Sequence, residues 1–95
     1  MVRLVWTRLA AADRKEIRAC IAQSNPAAAL VLDQTFSEKT SLLIAHPHLG
    51  RLGRVTGTRE WVVHQNYILI YDLTDDMVRI LRVLHAARQW PPVRE

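Results

Sequence analysis

Apolar positions follow two different periods along this chain. Up to about residue 45 they recur every three to four residues, and from Arg51 onward they alternate or run together. The opening Val2-Arg3-Leu4-Val5-Trp6 interleaves apolar residues with one cation and predicts a short strand. Thr7 is placed to cap a helix in which Ala10, Ala11 and Ala12 are strong helix formers. Ile17, Cys20 and Ile21, spaced i, i+3, i+4, mark its buried stripe, with Arg14, Lys15, Glu16 and Arg18 around the other side. Gln23-Ser24-Asn25-Pro26 ends that helix and starts a second, Asn25 as N-cap and Pro26 at the first helical position. Its stripe is Ala28/Ala29, Leu32, Phe36 and Leu43, leaving Asp33, Glu38 and Lys39 for solvent, and His46-Pro47-His48-Leu49-Gly50 stops it. Two helices joined by so short a break pack as an antiparallel hairpin.

In the second half, Gly53 and Gly57 punctuate a first strand around Arg54 to Thr56. Arg59 to His64 alternates, with Arg59, Trp61 and Val63 on one face and Glu60, Val62 and His64 on the other. Gln65-Asn66 is a turn, and Tyr67 to Leu73 is apolar on both faces, as a central strand is. Thr74-Asp75-Asp76 makes the next turn before a last strand, Met77 to His85, interrupted by Arg79 and Arg82. Strict alternation sets Arg79 and His85 on one face with Leu81 and Val83, and Arg82 on the other with Ile80 and Leu84. Periodicity alone does not say which face the helices cover. The tail Gln89-Trp90-Pro91-Pro92 cannot continue a ladder. The order β-α-α-β-β-β describes an α+β domain over residues 1–95, a helical hairpin on one face of a mainly antiparallel four-stranded sheet.

Composition narrows the function classes. Ninety-five residues make one domain, and 49% hydrophobic with 23% charged residues is the balance of a folded soluble protein rather than a disordered one. The longest apolar run, Ala27 to Leu32, is far short of a membrane span, and no signal peptide opens the chain. The single Cys20 cannot form an internal disulfide, so the expected compartment is the reducing cytoplasm, and its place on a helix stripe makes it a core residue. Thirteen Lys+Arg against nine Asp+Glu give a net charge of +4. Only Lys15 and Lys39 are lysines, and arginine's planar fork suits carboxylate and phosphate.

The sheet half holds Arg51, Arg54, Arg59, Arg79, Arg82 and Arg88 and no lysine. Read functionally, these form a basic patch for phosphate or an acidic peptide; read structurally, they pair with Glu60, Asp72, Asp75 and Asp76. His85, ending an apolar strand beside Arg82 and Arg88, is placed to serve as a general acid or base, or simply to bond a backbone carbonyl. His46, His48, His64 and Cys20 match no zinc spacing, and neither a metal nor a cofactor is expected. No nucleotide loop, nucleophile elbow or dinucleotide fingerprint is present. Trp61 and Trp90 are aromatic enough to stack on a base but equally suited to packing.

Several short motifs in order carry a family resemblance. They are Val5-Trp6-Thr7 before an Ala-rich helix, Asn25-Pro26-Ala27-Ala28 opening the second helix, and His46-Pro47 closing it. Next come Gly50-Arg51-x-Gly53-Arg54-Val55-x-Gly57-Thr58-Arg59-Glu60 and Tyr67-Ile68-x-x-Tyr71. The most specific stretch is Ile80-Leu81-Arg82-Val83-Leu84-His85-Ala86-Ala87-Arg88-Gln89-Trp90-Pro91. From Val2 to Pro91 the chain resembles the RelE/ParE superfamily of type II toxin–antitoxin toxins, formerly called plasmid stabilisation proteins. The resemblance implies a toxin neutralised by a cognate antitoxin that wraps its basic surface, in a toxin–antitoxin hetero-oligomer. ParE-like members bind DNA gyrase without chemistry of their own; RelE-like members cut mRNA on the ribosome. A RelE-like site here would use His85, Tyr67 or Tyr71, Arg59 and Arg82, yet the lysines usual in such sites are missing. The ParE-like reading is therefore preferred, with Arg51, Arg54, Arg59, Arg79, Arg82, Arg88 and Trp90 as partner-binding residues.

Overall fold

The computed structural model describes residues 2–86. Arg88 and Trp90 lie outside the described residues. The chain runs β1 (Arg3–Trp6), α1 (Arg8–Ala22), α2 (Pro26–Ala45), β2 (Arg51–Leu52), β3 (Thr58–His64), β4 (Tyr67–Thr74) and β5 (Met77–His85). The five strands form one sheet in the order β1-β5-β4-β3-β2. All neighbours are antiparallel except β1, which runs parallel to β5 with Trp6 opposite Ile80. The expected α+β architecture is therefore present, with one strand more than the four expected. That short strand is Arg51–Leu52; Arg54 to Thr56 instead bend into the turn that Gly57 completes at φ +86.

Both helix starts follow the sequence signals. Thr7 accepts a hydrogen bond from the Ala10 N–H at 3.2 Å, and Asn25 accepts one from the Ala28 N–H at 3.1 Å with Pro26 at the first helical position. The Thr7 hydroxyl also donates to the Ile80 carbonyl at 2.7 Å, so one side chain both caps α1 and ties it to β5. Ala10, Leu32, Phe36 and Leu43 pack on Val63, Leu69, Tyr71, Val78, Ile80 and Val83, which defines the helix-covered face. Ile17 and Ile21 join the rim of this core, whereas Cys20 is exposed, contrary to expectation. The stripe spacing is correct, but α1 is rotated so that Ala10 takes the buried line and Cys20 drifts to its edge.

A second correction concerns the helix pair. Arg14 and Asp33, read as solvent-facing, clasp the two helices together. The Arg14 Nε donates to Asp33 Oδ1 at 2.7 Å, its Nη2 reaches the Asp33 carbonyl at 2.9 Å and Ser37 Oγ at 2.6 Å, and its guanidinium lies 4.8 Å over the Trp6 ring. The third correction lies in β5. Ile70 pairs with Arg82 but Tyr71 with Ile80, so Leu81 is the extra residue of a β-bulge. The bulge resets the alternation. Ile80 and Val83 both face the helices, His85 sits opposite Tyr67, and Arg79 sits opposite Asp72 on the face away from the helices. Arg79 and His85 therefore do not share a face, and Ile80 does not share one with Leu84.

Candidate functional site

The loop between α2 and β2 is shaped around Tyr71. This side chain is fully buried; its hydroxyl donates to the Pro47 carbonyl at 2.8 Å and accepts from the Gly50 N–H at 2.9 Å. A Cβ on Gly50 would stand 2.7 Å from the Tyr71 ring and 2.9 Å from the Glu60 carbonyl, so only glycine fits. Burial pushes the Tyr71 phenol above its usual range, against the opposing pull of the Gly50 N–H and the Arg59 charge. Tyr71 is thus a keystone of the loop and is no candidate for proton transfer.

Around that loop three arginines meet one carboxylate. Glu60 is 3% exposed and accepts from Arg51 Nη2 at 2.9 Å and from the Arg54 backbone N–H at 3.1 Å, with Arg54 Nε at 3.7 Å. Burial raises the Glu60 carboxyl, but the Arg54 and Arg51 hydrogen bonds and both charges outweigh it and hold it below its ordinary 4.5. Arg59, expected on the same strand, turns its Nη1 to the Gly50 carbonyl at 2.7 Å. Among the described residues, three guanidinium charges against one carboxylate leave this end of the sheet at +2. Arg51 and Arg54 keep more than half of their side-chain surface exposed, so the cluster faces outward with a buried anion fixing its geometry.

The remaining described sheet arginines are neutralised one to one. Arg79 makes a two-pronged pair with Asp72, at 2.9 and 2.6 Å. Arg82 makes another with Asp13 of α1, at 2.7 and 3.1 Å, and the same carboxylate accepts from the Val83 N–H at 3.0 Å. Hydrogen bonds to these carboxylates raise both arginines above their ordinary pKa. Pairing with Glu60 and Asp72 was the structural reading of these cations. Asp13 takes the place of Asp75 and Asp76, which form no ion pair among the described residues. Sequence reasoning missed Asp13 because its partner is 69 residues away, on a strand edge that opens only where β1 ends opposite Ile80.

His85 is exposed and edge-on to Tyr67, ring centroids 5.5 Å apart, while His64 lies 5.9 Å from the other side of the same ring. His64 Nδ1 accepts from the Asn66 N–H at 3.1 Å, which fixes its ring in the turn. A groove of about 290 Å³ beside this row is lined by Asp13, Glu16, Ile17, Cys20, Tyr67, Arg82, Val83 and His85. The structure thus brings Arg82 and His85 to one groove but not Arg59. His85 pairs with Tyr67 and Arg59 with Tyr71, two strands and four residues apart, roughly 16 Å between backbones. Trp61, considered as a stacking surface, instead donates its indole N–H to the Lys39 carbonyl of α2 at 3.3 Å.

The ParE toxin family of type II toxin–antitoxin systems matches residues 4–90, nearly the whole chain. The protein belongs to that family, within the RelE/ParE superfamily. Toxin RelE2 of Caulobacter vibrioides is 39% identical over 88 residues, covering 93% of this chain and 99% of its own. The putative toxin Y4kP of Sinorhizobium fredii is 38% identical over 92 residues, covering 96% and 95%. Among solved structures, a chain of the chromosomal ParDE toxin–antitoxin system from P. aeruginosa matches with a TM-score of 0.81 and 28% identity, over 90% of this chain and 96% of that one. This ParE-family chain is therefore a toxin component, and a cognate antitoxin is its implied partner. Among the described residues no three metal-ligating side chains gather, and no helix is long and apolar enough to cross a membrane.

Proposed function

We propose that this toxin is ParE-like in action: in the cytoplasm it binds DNA gyrase and blocks it without chemistry of its own, until the antitoxin covers it. The observation that carries the reading is the dispersal of the groups an RNA-cleaving site would need. Arg82 is committed to Asp13, Arg59 to the Gly50 carbonyl, and His85 lies roughly 16 Å from Arg59 across the sheet. Cleavage through a 2′-hydroxyl needs a base, an acid and a cation converging within hydrogen-bond reach of one phosphate. The outward-facing cluster of Arg51, Arg54 and Arg59 is the surface offered to an acidic antitoxin segment or to gyrase.

One observation favours the second reading, a ribosome-dependent mRNA endoribonuclease. A phosphate could also meet the outward Arg51, Arg54 and Arg59 cluster, and arginine forks suit it. The deciding experiment runs a gyrase supercoiling assay beside ribosome-programmed mRNA cleavage on one antitoxin-free preparation. Lost supercoiling or trapped gyrase–DNA cleavage with intact mRNA is expected. Cut mRNA with unaffected gyrase overturns the proposal, and His85→Ala would then abolish toxicity while sparing antitoxin binding.

A further inference from the structure

Helix α1 carries two ridges of opposite charge. Asp13, Glu16, Ile17 and Cys20, spaced i, i+3, i+4, i+7, line the groove beside β5, where Asp13 is matched by Arg82. Nearly opposite on the helix, about 160° around, Ala11, Arg14, Lys15 and Arg18 repeat the same spacing and line a different cavity of about 260 Å³, bounded by Trp6 of β1 and Asp33 of α2. Three cations share that cavity with one carboxylate. Asp33 already gives its Oδ1 to Arg14 and meets Arg18 only at 3.7 Å through Oδ2. The Arg14 hydrogen bond, opposed by burial and aided by both arginine charges, keeps Asp33 below its ordinary 3.8, so it stays ionised. Three cations against one carboxylate leave the cavity lining net positive, and Arg18 keeps 52% of its side-chain surface in solvent.

The geometry points to this flank of the hairpin as a docking pocket for an acidic, amphipathic segment of the antitoxin, with a carboxylate seated between Lys15 and Arg18. A protein segment fits better than a nucleotide. Arg14 already covers one face of the Trp6 ring at 4.8 Å, a face a base would otherwise use to stack. The adjoining surface is apolar: Leu30, one helical turn before Asp33 on the same face of α2, is 59% exposed. An amphipathic segment would satisfy both at once, its acid on Lys15 and Arg18 and its apolar residues on Leu30. The floor is rigid before binding, since Arg14, Asp33 and Ser37 are already bonded to one another, so little ordering is required of the toxin. This contact is separate from the Arg51, Arg54 and Arg59 cluster and rests on the toxin–antitoxin reading given above.

The test is calorimetric titration of the full-length toxin with the antitoxin encoded beside it, for wild type and for Lys15→Glu/Arg18→Glu. Both positions are exposed and outside the Arg14 clasp, so the variant keeps its fold, checked by circular dichroism and thermal midpoint. Binding weakened by roughly 30-fold is expected. The difference should shrink as salt rises from about 50 mM to about 500 mM, because exposed charges are screened. Leu30→Ser, which changes no charge, should weaken binding with little salt dependence. Unchanged antitoxin affinity in the double variant overturns the docking pocket and leaves the toxin reading standing. Unchanged antitoxin affinity together with lost affinity for a single-stranded RNA overturns it in favour of a nucleic-acid site. A wild-type toxin that does not bind the antitoxin at all overturns both.

Discussion

Where β2 meets β3, a buried Glu60 gathers Arg51 and Arg54 while Tyr71 and Gly50 lock the neighbouring loop; where β3 turns into β4, three rings, His64, Tyr67 and His85, stand in a row beside an open groove. The two ends share β3 and β4, yet one concentrates charge around a desolvated anion and the other lines up aromatic rings along a surface. The difference teaches where each kind of residue can act. At the charged end, position is fixed by bonds to buried groups, so a partner meets a preformed field. At the ring end, ring-on-ring contacts and the Asn66 N–H to His64 bond set position, and Arg82 is already matched by Asp13. A binding surface needs the first kind of order; an acid–base centre would need the two ends brought together.

The largest effect should come from removing the anion at the charged end. Glu60→Ala orphans the Arg54 N–H and removes the carboxylate that Arg51 and Arg54 share, and should cost about 2–3 kcal/mol in urea unfolding. A cost below about 1 kcal/mol would show that the cluster is held by solvent rather than by Glu60. Gly50→Ala should cost a comparable amount, about 2 kcal/mol, because its Cβ meets Tyr71 and backbone rather than a flexible chain end. Tyr71→Phe removes one buried hydroxyl with two partners and should cost about 1–2 kcal/mol, read from the same denaturation curve.

Acid should act on the charged end and on the helix clasp. Glu60 and Asp33 both have folded pKa values below their ordinary 4.5 and 3.8, so the stability they contribute is present above those values and is lost as pH falls through the lower folded ones. A thermal midpoint that drops on acidification below about pH 4.5, with the drop reduced in Glu60→Gln, is the expected result. At the ring end the effects should be smallest. Asp13→Asn should cost about 1 kcal/mol, since the Val83 N–H can still find the amide oxygen. His85→Ala should leave gyrase inhibition close to wild type, and loss of toxicity in that variant would erase the contrast between the two ends.

Arg79→Ala is a useful control. Its pair with Asp72 is well formed, but the arginine is 42% exposed, and its loss should leave the urea midpoint close to wild type. A clear drop would mean that the sheet face away from the helices depends on that pair.

Local pattern was enough to place both helices, their caps, the turns at Gln65-Asn66 and Thr74-Asp75-Asp76, and four of the five strands close to their true limits. Capping, proline position and hydrophobic period act over a few residues, and a few residues are what a sequence window contains. The two-residue β2, the parallel partner of β5 and the bulge at Leu81 are different in kind. Each depends on which strand lies alongside, and one inserted residue reverses every face after it. The arginines show the same division. Their number, their concentration in the sheet half and their fitness for anions are written in the chain. Which of them remain outward was decided by carboxylates brought from far away in sequence, Asp13 to Arg82 across 69 positions and Asp33 to Arg14 across 19, because a charge is compensated by what is near it in space.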